Sequence, residues 1–157
     1  VCLVPEKRAE LTTEGGLDVA GQITWLTEYI GKLQAAGIKV SLFIDPEEKQ
    51  IAAAIECGAD AVELHTGAYA EASLAADIDM YNAELKRIKQ AVATAQRSDN
   101  KLLINAGHGL TRDNVNAIAQ IEGIYELNIG HALIADAVFV GLEQAVIMMK
   151  DAMYADV

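Results

Sequence analysis

The segments "INAGHGL" (Ile104–Leu110) and "LNIGHAL" (Leu127–Leu133) share one pattern, apolar-Asn-x-Gly-His, where an apolar run ends. A glycine after a strand lets the backbone turn sharply and approach a ligand closely. The helix that follows offers unpaired N–H groups and the positive end of its dipole. Gly107-His108-Gly109 ahead of "LTRDNV" and Gly130-His131 ahead of "ALIADAV" both have this form and suit a phosphate held between them. The plain alternative for each is a tight turn capped by its histidine, and the repetition weighs against that for the pair. His108, between two glycines, is presented with little crowding. An imidazole near its usual pKa gives or takes protons at neutral pH.

Glu63 and His65 stand two apart in "DAVELH" and so share one strand face, with Val62 and Leu64 on the other. A carboxylate on the inner face of a parallel strand is costly to bury unless it is paired or used. Glu63 is therefore a candidate for chemistry, with His65 a candidate partner. The segment "RAELTTEGGLDV" is longer than an ordinary strand-to-helix connection. It reads as a binding loop or lid, with Lys7 and Arg8 to counter an anion, against the alternative of a solvated loop. Glu63 and the chain's three histidines are residue types that suit zinc. No His-x-His or HExxH spacing is present, and the glycine context favours backbone approach, so no metal is expected.

The elements that must position these residues alternate regularly. "CLVP", Ile38–Ile44, Asp60–His65, "KLLIN" and "IYELN" read as strands. Helices are expected over Gly21–Ala36, from Asp45 to Gly58, over Leu74–Gln96, from Thr111 to about Ile121, and over Ala132–Met149. Asp45-Pro46 with Glu48 reads as a capping box, and Gly37 as a C-terminal stop. The long helix carries an apolar stripe of Leu74, Ile78, Tyr81, Leu85, Ile88 and Val92. Strict alternation implies a parallel sheet with helices outside it, and function beyond the C-terminal strand ends. For a chain this short, periodicity favours an open doubly wound sheet; part of a (β/α)₈ barrel is the alternative, a whole barrel needing about 250 residues.

With 157 residues, 52% of them hydrophobic, the chain builds one core, and a single domain over 1–157 is expected. A net charge of −11 without a basic cluster disfavours nucleic acid and anionic membrane as partners. No apolar run is long enough to span a bilayer. Two isolated cysteines suit a reducing cytoplasm. The chain opens on Val1 inside an apolar run, so its natural N-terminus is expected to lie elsewhere.

Taken in order, "LVPEKRAELTTEGGLDV", "VSLFID", "VELHTG", "INAGHGLTRDNV" and "ELNIGHALI" resemble the pyridoxine 5′-phosphate synthase family of vitamin B6 biosynthesis. The resemblance implies a (β/α)₈ TIM barrel, with this chain covering about strands four to eight and their helices. It implies an enzyme that condenses 1-deoxy-D-xylulose 5-phosphate with 3-amino-2-oxopropyl phosphate. The products are pyridoxine 5′-phosphate, phosphate and water, and no cofactor or metal is needed. Members are cytoplasmic octamers. Carried over by residue, His108 matches the family's proton donor and Glu63 the carboxylate that stabilises the transition state. Thr12, Gly109, Gly130 and His131 match substrate-binding positions, and the Thr12 loop a segment that closes over the site. The family's N-x-D-H stretch, H-x-R strand end and basic Glu belong to earlier units and have no counterpart here. Asp136 stands where a basic residue is expected. The competing expectation is that these residues alone form an inactive fragment, whose exposed sheet edges act only through assembly with other chains. A phosphate-binding isomerase or aldolase fits less well, because no lysine beyond Lys7 is placed for it.

Overall fold

The computed structural model describes residues 1–5, 15–97 and 102–155. The elements run β1 (Cys2–Leu3), α1 (Ile23–Ala35), β2 (Ser41–Ile44), α2 (Glu48–Glu56), β3 (Ala61–His65) and α3 (Gly67–Leu74). They continue with α4 (Ile78–Gln96), β4 (Leu103–Gly107), α5 (Val115–Ala119), β5 (Ile124–Asn128), α6 (His131–Val140) and α7 (Leu142–Tyr154). All strand pairs are parallel and the spatial order is β1-β2-β3-β4-β5. Each crossover thus steps one strand further in the same direction. A doubly wound sheet reverses direction at a switch point, and none occurs here. The open-sheet expectation from periodicity is therefore corrected: the sheet has the stepwise winding of a barrel.

The two faces of the sheet differ as a period of two requires. Leu42, Val62 and Ile104 form one row in register, and Ile44, Leu64 and Ala106 the next. These six residues are buried and join Leu26, Ile30, Ile51, Ile88 and Ile118 in the core under the helices. Burying a side chain of this kind stabilises by about 1.5–3 kcal/mol, so this face drives folding. The opposite face carries Phe43, Glu63, Asn105 and Glu126 in one row, and His65, Gly107 and Asn128 in the next. The β4–β5 register shifts after Ile104, which pairs with Ile124, whereas Asn105 pairs with Glu126. The extra residue, Tyr125, is exposed. Such a bulge re-aims the side chains after it. Here it brings Asn128 opposite Gly107, on the face that carries Glu63.

Several helix expectations need correction. Asp45 does not cap α2, whose N-cap is Glu47 without a side-chain cap bond. Its Oδ1 instead accepts from the Gly16 N–H at 3.2 Å and lies 3.1 Å from His65 Nδ1. Local cap chemistry loses to a partner from the sheet. The helix expected over Leu74–Gln96 begins only at Ile78: Leu74 ends α3, a separate helix not expected from the sequence, Ala76 takes φ +55, and Asp77 caps α4 by accepting from the Met80 N–H. Leu74 and Ile78 are consequently exposed, while Ile88 and Val92 are buried. The final helix is divided by Gly141 at φ +82. Thr111 does not cap α5; Asn114 is its N-cap, and its Oδ1 accepts from the Thr111 N–H at 2.8 Å. Gly37 does end its helix as expected, at φ +77.

Candidate active site

His108 lies immediately after β4 with a backbone φ of +82, followed by Gly109 at +76. A left-handed conformation is uncommon outside glycine and costs on the order of 1–3 kcal/mol unless its surroundings enforce it. Thr66, fully buried at the end of β3, is the enforcing neighbour. Its N–H donates to the Gly107 carbonyl at 2.9 Å, and its hydroxyl lies 2.7 Å from that carbonyl and 2.6 Å from the His108 carbonyl. One O–H serves two acceptors, so the hydroxyl sits in the crook of the turn. Gly109 packs tightly there as well, since a Cβ would stand 2.6 Å from the Ala70 Cβ.

The His108 ring meets the His65 ring edge-on, with centroids 4.9 Å apart and planes at 70°. Phe43 packs on His65 at 5.1 Å and lies 6.4 Å from His108. Burial pushes the His108 imidazole below the usual histidine range, and the neighbouring His65 adds to this against the opposing charge of Glu71.

Glu63 points from the same sheet face. Its Oε2 accepts from Asn128 Nδ2 at 2.7 Å, and Cys2 Sγ lies 3.9 Å away. Burial pushes the Glu63 carboxyl above the usual carboxylate range, outweighing the hydrogen bonds from Asn128 and Cys2; Glu126 pushes the same way. Gly107 makes room for it, because a Cβ at that position would collide with Glu63 Oε1.

The second Gly-His turn supplies a helix start. Gly130 is the N-cap of α6 with φ −112 and no side-chain cap bond, and His131 is the first helical residue. The leading N–H groups of such a helix lack intrahelical acceptors. Glu63, His108, Gly109, Gly130 and His131 all line one cavity of about 590 Å³, to which Asn128 also contributes. The structure thus brings together five of the six residues singled out in the sequence. Thr12, with Lys7, Arg8 and Thr13 of the same loop, lies outside the described residues. Asp136 accepts from Arg112 Nε at 2.8 Å and so ties α6 to the segment before α5. Among the described residues no group of three or more His, Cys, Asp or Glu is placed to hold a metal.

The sequence reading assigned no role to Thr66, Asn128 or the Asp45–His65 pair. Asn128 and Thr66 stand at strand ends in the sequence, but the reach of Asn128 to Glu63 depends on the bulge in β5, and the grip of Thr66 on its burial under the β4 turn.

The profile of the family described as "Pyridoxal phosphate biosynthesis protein PdxJ" matches residues 1–155. The chain belongs to the PdxJ family. Curated PdxJ relatives named pyridoxine 5′-phosphate synthase agree. The chain is 57% identical to that of Alcanivorax borkumensis over 95% of its length and 59% of the relative's. It is 56% identical to that of Synechococcus sp. over 98% of its length and 62% of the relative's. It is also 56% identical to that of Aliivibrio fischeri, over 93% and 58% respectively. The chain therefore spans about three-fifths of the length of the curated relatives it matches. Among solved structures, the YdjI aldolase from Escherichia coli K12 is similar, with a TM-score of 0.50 and 18% identity. That match covers 87% of this chain and 54% of the aldolase. At that identity it speaks for the fold alone, the TIM-barrel winding that the strand order already gives this PdxJ chain. No helix among the described residues is long and apolar enough to cross a membrane.

Proposed function

We propose that this chain supplies the His108–Glu63 part of a pyridoxine 5′-phosphate synthase site. The observation that carries the proposal is the shared cavity, lined by an imidazole on a strained, clamped turn, a half-buried carboxylate and the start of a helix. The reaction joins 1-deoxy-D-xylulose 5-phosphate to 3-amino-2-oxopropyl phosphate. Attack of the amine on the ketone forms a Schiff base with loss of water. Phosphate then leaves, an aldol-type closure makes the ring, and loss of a second water renders it aromatic.

Each departure of hydroxyl or phosphate needs a proton. An imidazole whose pKa is pushed down is a stronger acid once protonated, while a smaller share of it carries the proton at neutral pH, so donation strengthens as pH falls. Glu63 steadies the cationic, iminium-like states: a carboxylate short of solvation gains more from a developing cation than a hydrated one does. Gly130 and His131 at the α6 start, with Gly109 in the turn after β4, bind phosphorylated substrate through backbone N–H groups, so binding energy orients two flexible molecules. Thr12 is proposed as a further substrate contact on a closing loop. The full-length protein is proposed to work without cofactor or metal, as a cytoplasmic octamer, with phosphorylated small molecules and its own copies as partners rather than nucleic acid or membrane.

The test is formation of pyridoxine 5′-phosphate from the two substrates by the protein at the full length of its relatives. His108→Asn should lower turnover on the order of 10²-fold or more. Unchanged turnover removes His108 from the proton-donor role.

A second reading concerns these 157 residues alone. The outer strands β1 and β5 each pair on one side only, and α6 buries none of its residues. Exposed edges of this kind favour pairing with other chains. On that reading the isolated polypeptide associates without turnover, and product formation by it would dismiss the idea.

A further inference from the structure

We infer that Asp45 and His65 form a positioning pair, which orients the His108 imidazole and links it to the chain at Gly16. The inference deepens the proposed synthase reading and rests on it for the word "positioning". The pair lies behind the cavity: His65 does not line it, and the His65 side chain is only 12% exposed. Asp45 Oδ1 lies 3.1 Å from His65 Nδ1. A carboxylate accepts only, so Nδ1 carries the hydrogen, and in the neutral ring Nε2 is left without one. The ring is thereby fixed in tautomer and rotation. Its edge-on contact with His108, at 4.9 Å, passes that orientation to the second ring. Phe43 closes the other side. Gly67 keeps the space open, since a Cβ there would stand 2.5 Å from His65 Nε2 and 3.2 Å from His108 Cδ2.

The same Asp45 oxygen accepts from the Gly16 N–H at 3.2 Å, and the neighbouring Leu17 N–H donates to the Phe43 carbonyl at 2.7 Å. Gly16 packs so closely on the Ile44–Asp45 backbone that a Cβ would collide with it. One carboxylate therefore joins the β2 end, the chain at Gly16 and the two-histidine stack. Neither a capping Asp nor a core-filling His needs that arrangement.

The charged and titratable groups near His108 are His65 from β3 and Glu71 from α3, with Cys2 of β1, Glu63 of β3 and His131 of α6 lining the same cavity; Asp45 acts behind His65. Removing His65 removes the neighbouring imidazole whose electrostatic influence disfavours protonated His108. His65→Phe keeps a ring against Phe43 and His108 but neither bonds Asp45 nor titrates. Asp45→Ala leaves the ring and frees its tautomer.

The experiment is an NMR titration of the histidine rings in the full-length protein, wild type and both variants, alongside kcat and KM against pH. In His65→Phe the His108 midpoint should rise, and the alkaline limb of the kcat profile should move up with it. In both variants kcat should fall, by up to about 10²-fold, with KM nearly unchanged, as misplacement of a reacting group requires. In Asp45→Ala the His65 ring nitrogens should show a mixed tautomer. A folded His65→Phe protein with the His108 midpoint and kcat both unaltered overturns the inference. Should that variant not fold, Asp45→Ala with unaltered His65 tautomer and kcat overturns it equally. If the wild-type protein fails to convert the two phosphates, the synthase reading falls, while the midpoint and tautomer still decide whether the pair orients His108.

Discussion

The two Gly-His turns start from the same five-residue pattern and end in opposite mechanical situations. After β4, His108 and Gly109 both take positive φ, with Thr66 gripping the carbonyls and Ala70 pressing on Gly109. After β5, Gly130 has φ −112 and open space where a Cβ would go, and His131 simply begins α6. The first turn holds a strained residue because buried neighbours over-determine it. The second offers the main-chain groups of a helix start and little else. Proton transfer needs a ring fixed in direction, whereas phosphate binding needs N–H groups that converge. On the proposed function, the contrast would divide labour between two histidines that a motif reading treats alike.

The strongest attack on this division compares His108→Asn with His131→Asn in the full-length protein. The first should lose turnover on the order of 10²-fold or more, whereas the second, which keeps the main-chain N–H groups, should leave kcat nearly unaltered and change KM for phosphorylated substrate only modestly. Steady-state kinetics on both variants checks it, and equal losses of kcat would erase the distinction.

Stability offers an independent handle. Thr66→Val deletes the hydroxyl but keeps the shape, removing its bonds to the Gly107 and His108 carbonyls while the Thr66 N–H bond to Gly107 stays, at a cost of about 1 kcal/mol. Gly109→Ala meets both an unfavourable φ and the Ala70 Cβ, and should cost about 1–3 kcal/mol. Gly130→Ala should stay within about 0.5 kcal/mol, as at an uncrowded surface position. Denaturant unfolding of the three variants ranks them. A Gly130→Ala cost as large as that of Gly109→Ala would mean the second turn is braced as well.

What the sequence disclosed divides along the same line. Strand positions, the shared face of Glu63 and His65, and the stop at Gly37 follow from local rules of period and backbone conformation. The strand order does not, since βα alternation serves an open sheet and a barrel alike. Asp45 was legible as a cap because Asp-Pro-Glu-Glu satisfies every local rule for one. Only the arrival of His65 and Gly16 from elsewhere shows why its oxygen is taken. The breaks at Ala76 and Gly141 were hidden because alanine-rich and apolar segments satisfy helix periodicity on either side of them. Thr66 is legible only as a strand-end residue, because its role lies in carbonyls contributed from the neighbouring strand.

The finest expected effect concerns two carboxylates beside the first turn, which should pull stability in opposite directions with pH. Glu63 is raised, chiefly by burial, so its contribution to stability is complete below the usual glutamate range and fades as pH rises through its folded value. Asp45 is lowered, chiefly by the hydrogen bond with His65, so its contribution is complete above the usual aspartate range and fades as pH falls. Stability measured from pH 3 to 8 on wild type, Glu63→Gln and Asp45→Asn should therefore diverge at opposite ends. The Glu63→Gln curve gains on wild type toward neutral pH, because it drops the penalty of an ionised, poorly solvated carboxylate. The Asp45→Asn curve falls below wild type there and approaches it in acid, where the aspartate has lost its charge as well. Two curves displaced from wild type by the same amount at every pH would mean that neither carboxylate is tuned by its surroundings. The first turn would then be distinguished from the second by packing alone.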